Sequence, residues 1–174
     1  MTIEKERPVS AGAADFFDVR LASMADAPAI EDFYQALPDG HRWLRFGGLA
    51  SNCPINVDQL QEKEDILLAQ LTHSALQEIV GFADYHTTNE PATTELAVVV
   101  SPDHCNKGCG SLLVRRAIEH ALADGYTYGC IDTAPQNTAA LALSTRMLGR
   151  PISKVPGELG GWQYTYDLRQ IGGR

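Results

Sequence analysis

The run Val98-Val-Val-Ser-Pro-Asp-His-Cys-Asn-Lys-Gly-Cys-Gly-Ser-Leu-Leu113 constrains the fold more than any other part of the chain. Three β-branched residues end a strand, Ser-Pro-Asp breaks it, and glycines at 108 and 110 lead directly into a helix. Leu112, Leu113, Val114, Ala117, Ile118, Ala121 and Leu122 carry that helix, and Gly125 closes it. The alternating run Tyr126–Thr133 follows at once, so the segment is a β-α-β crossover. The helix start also bears on chemistry. Its first amides lack intrahelical acceptors and the dipole is positive there, while glycines let a ligand come close, so phosphate or pyrophosphate is the natural occupant. A dinucleotide-binding G-x-G-x-x-G is absent, and Lys107 precedes its glycine, which rules out a Walker loop.

The rest of the chain reads as strands around this unit. Asp18–Ala22 is a short strand, and Ser23-Met-Ala-Asp26 has the spacing of a capping box. Pro28 suits a first helical turn, and Ile30, Phe33, Tyr34 and Leu37 give an amphipathic helix that ends at Pro38. From Pro38 to Glu64 the pattern is irregular, with a helical turn expected at Val57–Lys63. Ile66–Leu71, Glu78–His86 and Thr93–Val100 form an antiparallel meander, Asn137–Leu148 a second C-terminal helix, and Lys154 and Trp162–Leu168 the last strands. The expected fold class is mixed α/β, with a mainly antiparallel sheet of six or seven strands and flanking helices. The sheet is expected to splay between the strand ending at Val100 and the strand Tyr126–Thr133.

With 174 residues, 44% of them apolar, the chain can bury one core. Residues 1–14 are charged, then Ala/Gly-rich, and are expected to be a flexible arm before a single domain over 15–174. No apolar run approaches the roughly 20 residues of a membrane span, and the first residues lack a signal-peptide core, so a soluble cytoplasmic protein without membrane partners is expected. Cys53, Cys105, Cys109 and Cys130 are irregularly spaced, which suits unpaired thiols and no metal site. Residues 1–100 carry 6 Lys/Arg against 16 Asp/Glu, a net of -10, while residues 101–174 carry 8 against 6, a net of +2. An acidic front half disfavours nucleic acid and suits a cationic partner, or solubility alone.

Over about residues 18–168 the chain resembles the GNAT superfamily of acyl-CoA-dependent N-acyltransferases, in element order and in two motifs. The first is a strand ending in V-x-V-x-P, then Arg/Gln-x-x-Gly-x-Gly/Ala at a helix start. Gly108 and Gly110 match it, and Cys105 stands where Arg or Gln is usual. The resemblance implies acetyl-CoA as cosubstrate, with its pyrophosphate on the amides of Asn106, Lys107, Gly108, Cys109, Gly110 and Ser111 and its pantetheine arm along Val98 and Val100. The second motif is Asn137-Thr-Ala-Ala140-Leu-Ala-Leu143, which resembles the family's Asn-x-x-Ala-x-x-Leu helix and implies an Asn137 contact to the pantetheine arm. The family's usual tyrosine acid is replaced by Ser144, or by Thr145 when counted back from Gly149. Leu44-Arg-Phe46 and its placement resemble a segment of bacterial protein lysine acetyltransferases, a pointer to lysine side chains; the other reading is a packing cluster of Trp43, Leu44 and Phe46.

The activity implied is transfer of an acetyl group from acetyl-CoA to a primary amine, either a small cation or a protein lysine, by direct attack in a ternary complex. The amine must lose a proton, and Glu95 on the strand before the loop is the candidate base, with a solvated strand carboxylate as the other reading. A thiolate leaves with little help, so Ser144 in place of a tyrosine is survivable. Asp84 and His86 could line the acceptor side, or serve as surface polarity. Tyr164 and Tyr166 suit sheet packing more than a replacement acid, and Arg115-Arg116 suits a solvated helix face. An acyl-CoA sensor that kept the cradle and lost the chemistry is the alternative function, and a homodimer is left open.

Overall fold

The computed structural model describes residues 16–55, 65–72, 74, 78–158 and 160–171. Seven strands make one sheet: β1 Phe17–Leu21, β2 Asp65–Leu71, β3 Ile79–Thr87, β4 Thr93–Val100, β5 Tyr128–Thr133, β6 Ser153–Pro156 and β7 Trp162–Asp167. Their spatial order is β1-β2-β3-β4-β5-β7-β6. The helices are α1 Ala27–Ala36, α2 Asp39–Phe46, α3 Cys109–Ala123 and α4 Thr138–Leu148. Every strand pair is antiparallel except β4 with β5. That parallel pair is the one the β-α-β crossover through α3 imposes.

Side-chain alternation sends each strand's apolar residues to two layers. On one face Leu67, Ala83, Tyr85 and Leu96 pack with Leu113, Ala117, Ile118 and Ala121 of α3. On the other, Ile66, Leu68, Phe82 and Val99 pack with Ile30, Phe33 and Leu37 from α1 and its end. Each such side chain contributes roughly 1.5–3 kcal/mol on burial. β3 lies between both layers and is buried from Ile79 to Tyr85, which explains its nearly continuous apolar run. Gly81 lets α3 approach it, because a Cβ there would lie 2.8 Å from the Val99 carbonyl oxygen and 3.3 Å from Leu113.

The start of α1 follows the capping pattern. Asp26 Oδ2 accepts from the Ser23 amide at 2.8 Å, and both Asp26 oxygens accept from Arg20. The stretch after Pro38 departs from expectation. It is not irregular throughout, because Asp39–Phe46 forms α2. Leu37 is extended, as a residue before proline prefers, so Pro38 both ends α1 and begins α2. The α2 sequence is only eight residues long, too short to be a stable helix alone. Its last turn is fixed from outside, by Phe46 against Tyr34 (5.2 Å between ring centroids) and Phe82 (6.3 Å). Trp43 is 39% exposed and takes no part, so the expected Trp43–Leu44–Phe46 cluster reduces to Phe46. The helical turn expected at Val57–Lys63 and the arm at 1–14 lie outside the described residues.

β4 and β5 pair only at Thr93–Tyr128, Thr94–Gly129 and Glu95–Cys130. Beyond Glu95 the two strands separate: β4 stays on β3 up to Val100, and β5 stays on β7 up to Thr133. The turn between β6 and β7 curls over the end of β5. Asp132 Oδ2 accepts from the Glu158 amide at 2.6 Å, and Gly161 lies so close that a Cβ would collide with the Thr133 carbonyl. Gly161→Ala is therefore expected to cost about 1–3 kcal/mol and lower Tm by roughly 2–10 °C. An unchanged thermal melt would show that the turn does not hold this position.

Candidate active site

The separation of β4 from β5 opens a cleft of about 960 Å³. One wall is β4 from Glu95 to Val100, the other Ile131–Thr133 of β5 with the start of α4. From Leu96 onward, β4 has no strand on its β5 side, so backbone groups there are left for a ligand.

At one end of the cleft lies the start of α3. Gly108 is its N-cap with φ +89, a left-handed conformation that favours glycine, and no side chain caps the helix. Asn106 is also left-handed, at φ +60. These two turns bring the loop amides round to the cleft. Gly110 keeps the space beside them open, since a Cβ there would stand 3.3 Å from Leu143 Cδ2 and 3.7 Å from Val100 Cγ2. Arg146 of α4 donates from Nη2 to Ser111 Oγ at 2.8 Å and lines the same end, which adds a positive charge that the motif alone did not reveal. Asn137 caps α4 by accepting the Ala140 amide at 3.1 Å on Oδ1. Its Nδ2 group is left to donate.

Of the residues singled out from the sequence, Glu95, Val98, Val100, Asn106, Gly108, Gly110, Ser111, Asn137 and Ser144 all line this cleft. Lys107 and Cys109 do not. Lys107 is exposed, and the Cys109 side chain is 1% exposed in the core, which leaves only their amides available to a ligand. Ser144 is buried and donates to the Leu141 carbonyl at 3.0 Å. Arg116 pairs with Glu119 on a half-exposed helix surface.

The opposite end is polar. Glu95, Asp132, Glu158, Gln163, His41 and Arg45 line it. Glu95 is exposed to the cleft, and partial desolvation by the walls pushes its carboxyl above its usual range; Asp132 and Asp84 add to this, and Arg45 and His86 oppose it. Asp84 is not surface polarity. It is 1% exposed, ion-paired to Arg45 on Oδ1 and 2.8 Å from His86 Nε2 on Oδ2. Burial pushes its carboxyl up, but Arg45 and His86 outweigh that and hold it below the usual value. The thiols are not activated: burial raises Cys105, and brings Cys109 and Cys130 to about 12. All four cysteines are unpaired. Among the described residues no cluster of His, Cys, Asp and Glu could hold a metal, and no helix is long and apolar enough to cross a membrane.

A carboxyl held low by its partners stabilises the fold above the unfolded value near 3.9, and the contribution is lost as pH falls through the lower folded value. Stability should therefore decline on acidification in that window, and Asp84→Asn should remove the contribution at neutral pH. Removing one partner of a buried pair costs about 3–5 kcal/mol, because Arg45 is left uncompensated. Urea unfolding at pH 7 reads this directly, and a change below about 1 kcal/mol would contradict it.

The sequence profile of the Acetyltransferase (GNAT) family matches residues 30–149. The fold is similar to the GNAT domain of a Streptomyces lividans protein, PAT, with a TM-score of 0.71 at 17% identity over 86% of this chain and 89% of that one. It is also similar to a GNAT-family acetyltransferase of Streptococcus pneumoniae (0.66, 20%, 86% and 96%). A third similar structure is the yncA protein of Salmonella typhimurium, solved with its cofactor acetyl-CoA (0.64, 22%, 87% and 94%).

Proposed function

Since the chain belongs to the GNAT acetyltransferase family, we propose that it moves an acetyl group from acetyl-CoA to a primary amine by direct attack within a ternary complex. The observation that carries this reading is the junction of two features in one cleft: the unpaired edge of β4 beyond Glu95, and the uncapped, glycine-lined start of α3. The residues suit acetyl-CoA. Amides from Asn106 to Ser111 with the Arg146 guanidinium would hold its pyrophosphate, and the Val98–Val100 backbone and Asn137 Nδ2 would hold the pantetheine arm. When bound, the cosubstrate supplies an acetyl group on a good leaving thiolate.

The chain's own part is proton handling and orientation. Glu95 accepts the amine proton, directly or through water, and main-chain amides near Val98–Val100 polarise the carbonyl under attack. The Glu95 carboxyl is raised from the ordinary glutamate value, which makes the carboxylate a stronger proton acceptor. With Cys109 and Cys130 buried and raised to about 12, and the exposed Cys105 also raised, a cysteine-bound acyl group is disfavoured and direct attack is the simpler route. The carboxylates at the polar end favour a cationic acceptor, whether a small amine or a protein lysine.

One observation favours an acyl-CoA sensor instead: Ser144 is buried, with its hydroxyl engaged by the Leu141 carbonyl and Tyr166, so it is a poor acid for the leaving group. Incubation with acetyl-CoA and a panel of small amines and lysine peptides, read by mass spectrometry, separates the two. An acetylated amine supports the enzyme. Tight acetyl-CoA binding by calorimetry with no acetylated product across the panel supports the sensor.

A further inference from the structure

Asp84 is a buried charge that the reaction outlined above leaves unused. It sits within β3 with 1% of its side chain exposed, a position where an uncompensated carboxylate is strongly disfavoured. A guanidinium and an imidazole meet it. Arg45 arrives from the last turn of α2, its guanidinium fixed over the rings of Phe46 (4.8 Å) and Phe82 (6.0 Å). His86 stands two residues along the strand, hence on the same face, with Nε2 2.8 Å from Asp84 Oδ2. The antiparallel register then sets His86 directly opposite Glu95 and Asp84 opposite Ala97. Glu95, His86 and Asp84 are therefore contiguous on one face of the sheet, and Arg45 shares the cleft with Glu95.

We propose that Asp84 is a positioning residue for acyl transfer: by holding Arg45 of α2 and His86 of β3 beside Glu95, it sets the charge balance against which the base works. The proposal rests on the reading of Glu95 as the proton acceptor. It also gives α2 a role, since the helix delivers the arginine that a carboxylate in β3 anchors.

The charged and titratable groups around Glu95 come from every element that packs there. Arg45 and His41 belong to α2, Asp84 and His86 to β3, Cys130 and Asp132 to β5, and Glu158 to the turn after β6. Arg45 and His86 favour the ionised form of Glu95, while Asp132 and Asp84 disfavour it. His86 is a group that Asp84 holds, whereas Asp132 is not, so Asp132 serves as the control that Glu95 responds to a neighbouring charge at all.

The experiment is a ¹³C NMR titration of the glutamate carboxyls in the full chain, with the Glu95 resonance assigned by its loss in Glu95→Gln. His86→Gln keeps a donor to Asp84 but removes the imidazole charge, and Asp132→Asn keeps an acceptor for the Glu158 amide but removes the carboxylate charge. Asp84→Asn puts the fold at risk, so these two milder variants carry the test. His86→Gln is expected to move the Glu95 midpoint up by about half a pH unit, the scale of a unit charge about 5 Å away in a water-like medium, and Asp132→Asn, diagonal to Glu95 where the strands part, to move it down by less. The acid limb of kcat/KM should move with it. A Glu95 titration unchanged by His86→Gln overturns the proposal, whatever Asp132→Asn does. If the titrations move as stated while the rate profile stays fixed, the charge balance is upheld and it is the reading of Glu95 as base that falls.

Discussion

Glu95→Gln is expected to lower turnover by about 10²–10⁴ while leaving acetyl-CoA affinity nearly unchanged, the span that a positioned general base supplies. The side chain lines the cleft on the strand whose edge is open, and nothing in the cradle at the start of α3 depends on its charge. The loss should shrink with acceptors of low amine pKa, because less of the barrier is then deprotonation. In the wild type, kcat/KM should fall as pH drops through a midpoint above the ordinary glutamate value near 4.3, since burial, Asp132 and Asp84 together favour the protonated acid that cannot accept the amine's proton. Ser144→Ala should cost far less, because its hydroxyl is committed to Leu141 and a thiolate departs without much help. Steady-state rates from about pH 4 to pH 9 with calorimetric acetyl-CoA affinities provide the check. A Glu95→Gln protein with wild-type turnover would place the base elsewhere.

Replacing both Gly108 and Gly110 with valine is expected to weaken acetyl-CoA binding by about 10²-fold or more in calorimetry. The two glycines act differently. Gly108 holds φ +89, so a β-branched residue there is strained and turns the loop amides away from the cleft. Gly110 has ordinary room for a single methyl, with Leu143 3.3 Å off at the flexible end of a side chain, so Gly110→Ala should be mild. A valine would extend into the space between Val100 and Leu143 that a pantetheine arm needs. Losing two hydrogen bonds to a charged phosphate costs about 3–6 kcal/mol, which is the source of the 10²-fold floor. A retained far-UV spectrum would separate lost binding from lost fold, and unaltered affinity in the folded double variant would show that this loop is not the cradle.

Local patterning was enough for much of this. The β-α-β unit with its glycine loop, the helix near Asn137–Leu148 and the strand that carries Glu95 were legible because strand alternation, helix period and glycine punctuation are properties of a few adjacent residues. The parallel pair and its splay followed from the crossover and from the resemblance of the loop to an acyl-CoA cradle. What the chain did not reveal locally was α2, whose eight residues 39–46 are too few to declare a helix by themselves, and the partners of its charges. Arg45 meets Asp84 39 residues away in sequence, Arg146 meets Ser111 35 residues away, and Asp132 holds the Glu158 amide 26 residues away. A carboxylate in a strand reads the same in sequence whether it faces water or a guanidinium. Only the packing of α2 on β3 decided that Asp84 is buried and paired, because burial of a charge depends on which distant element arrives to neutralise it.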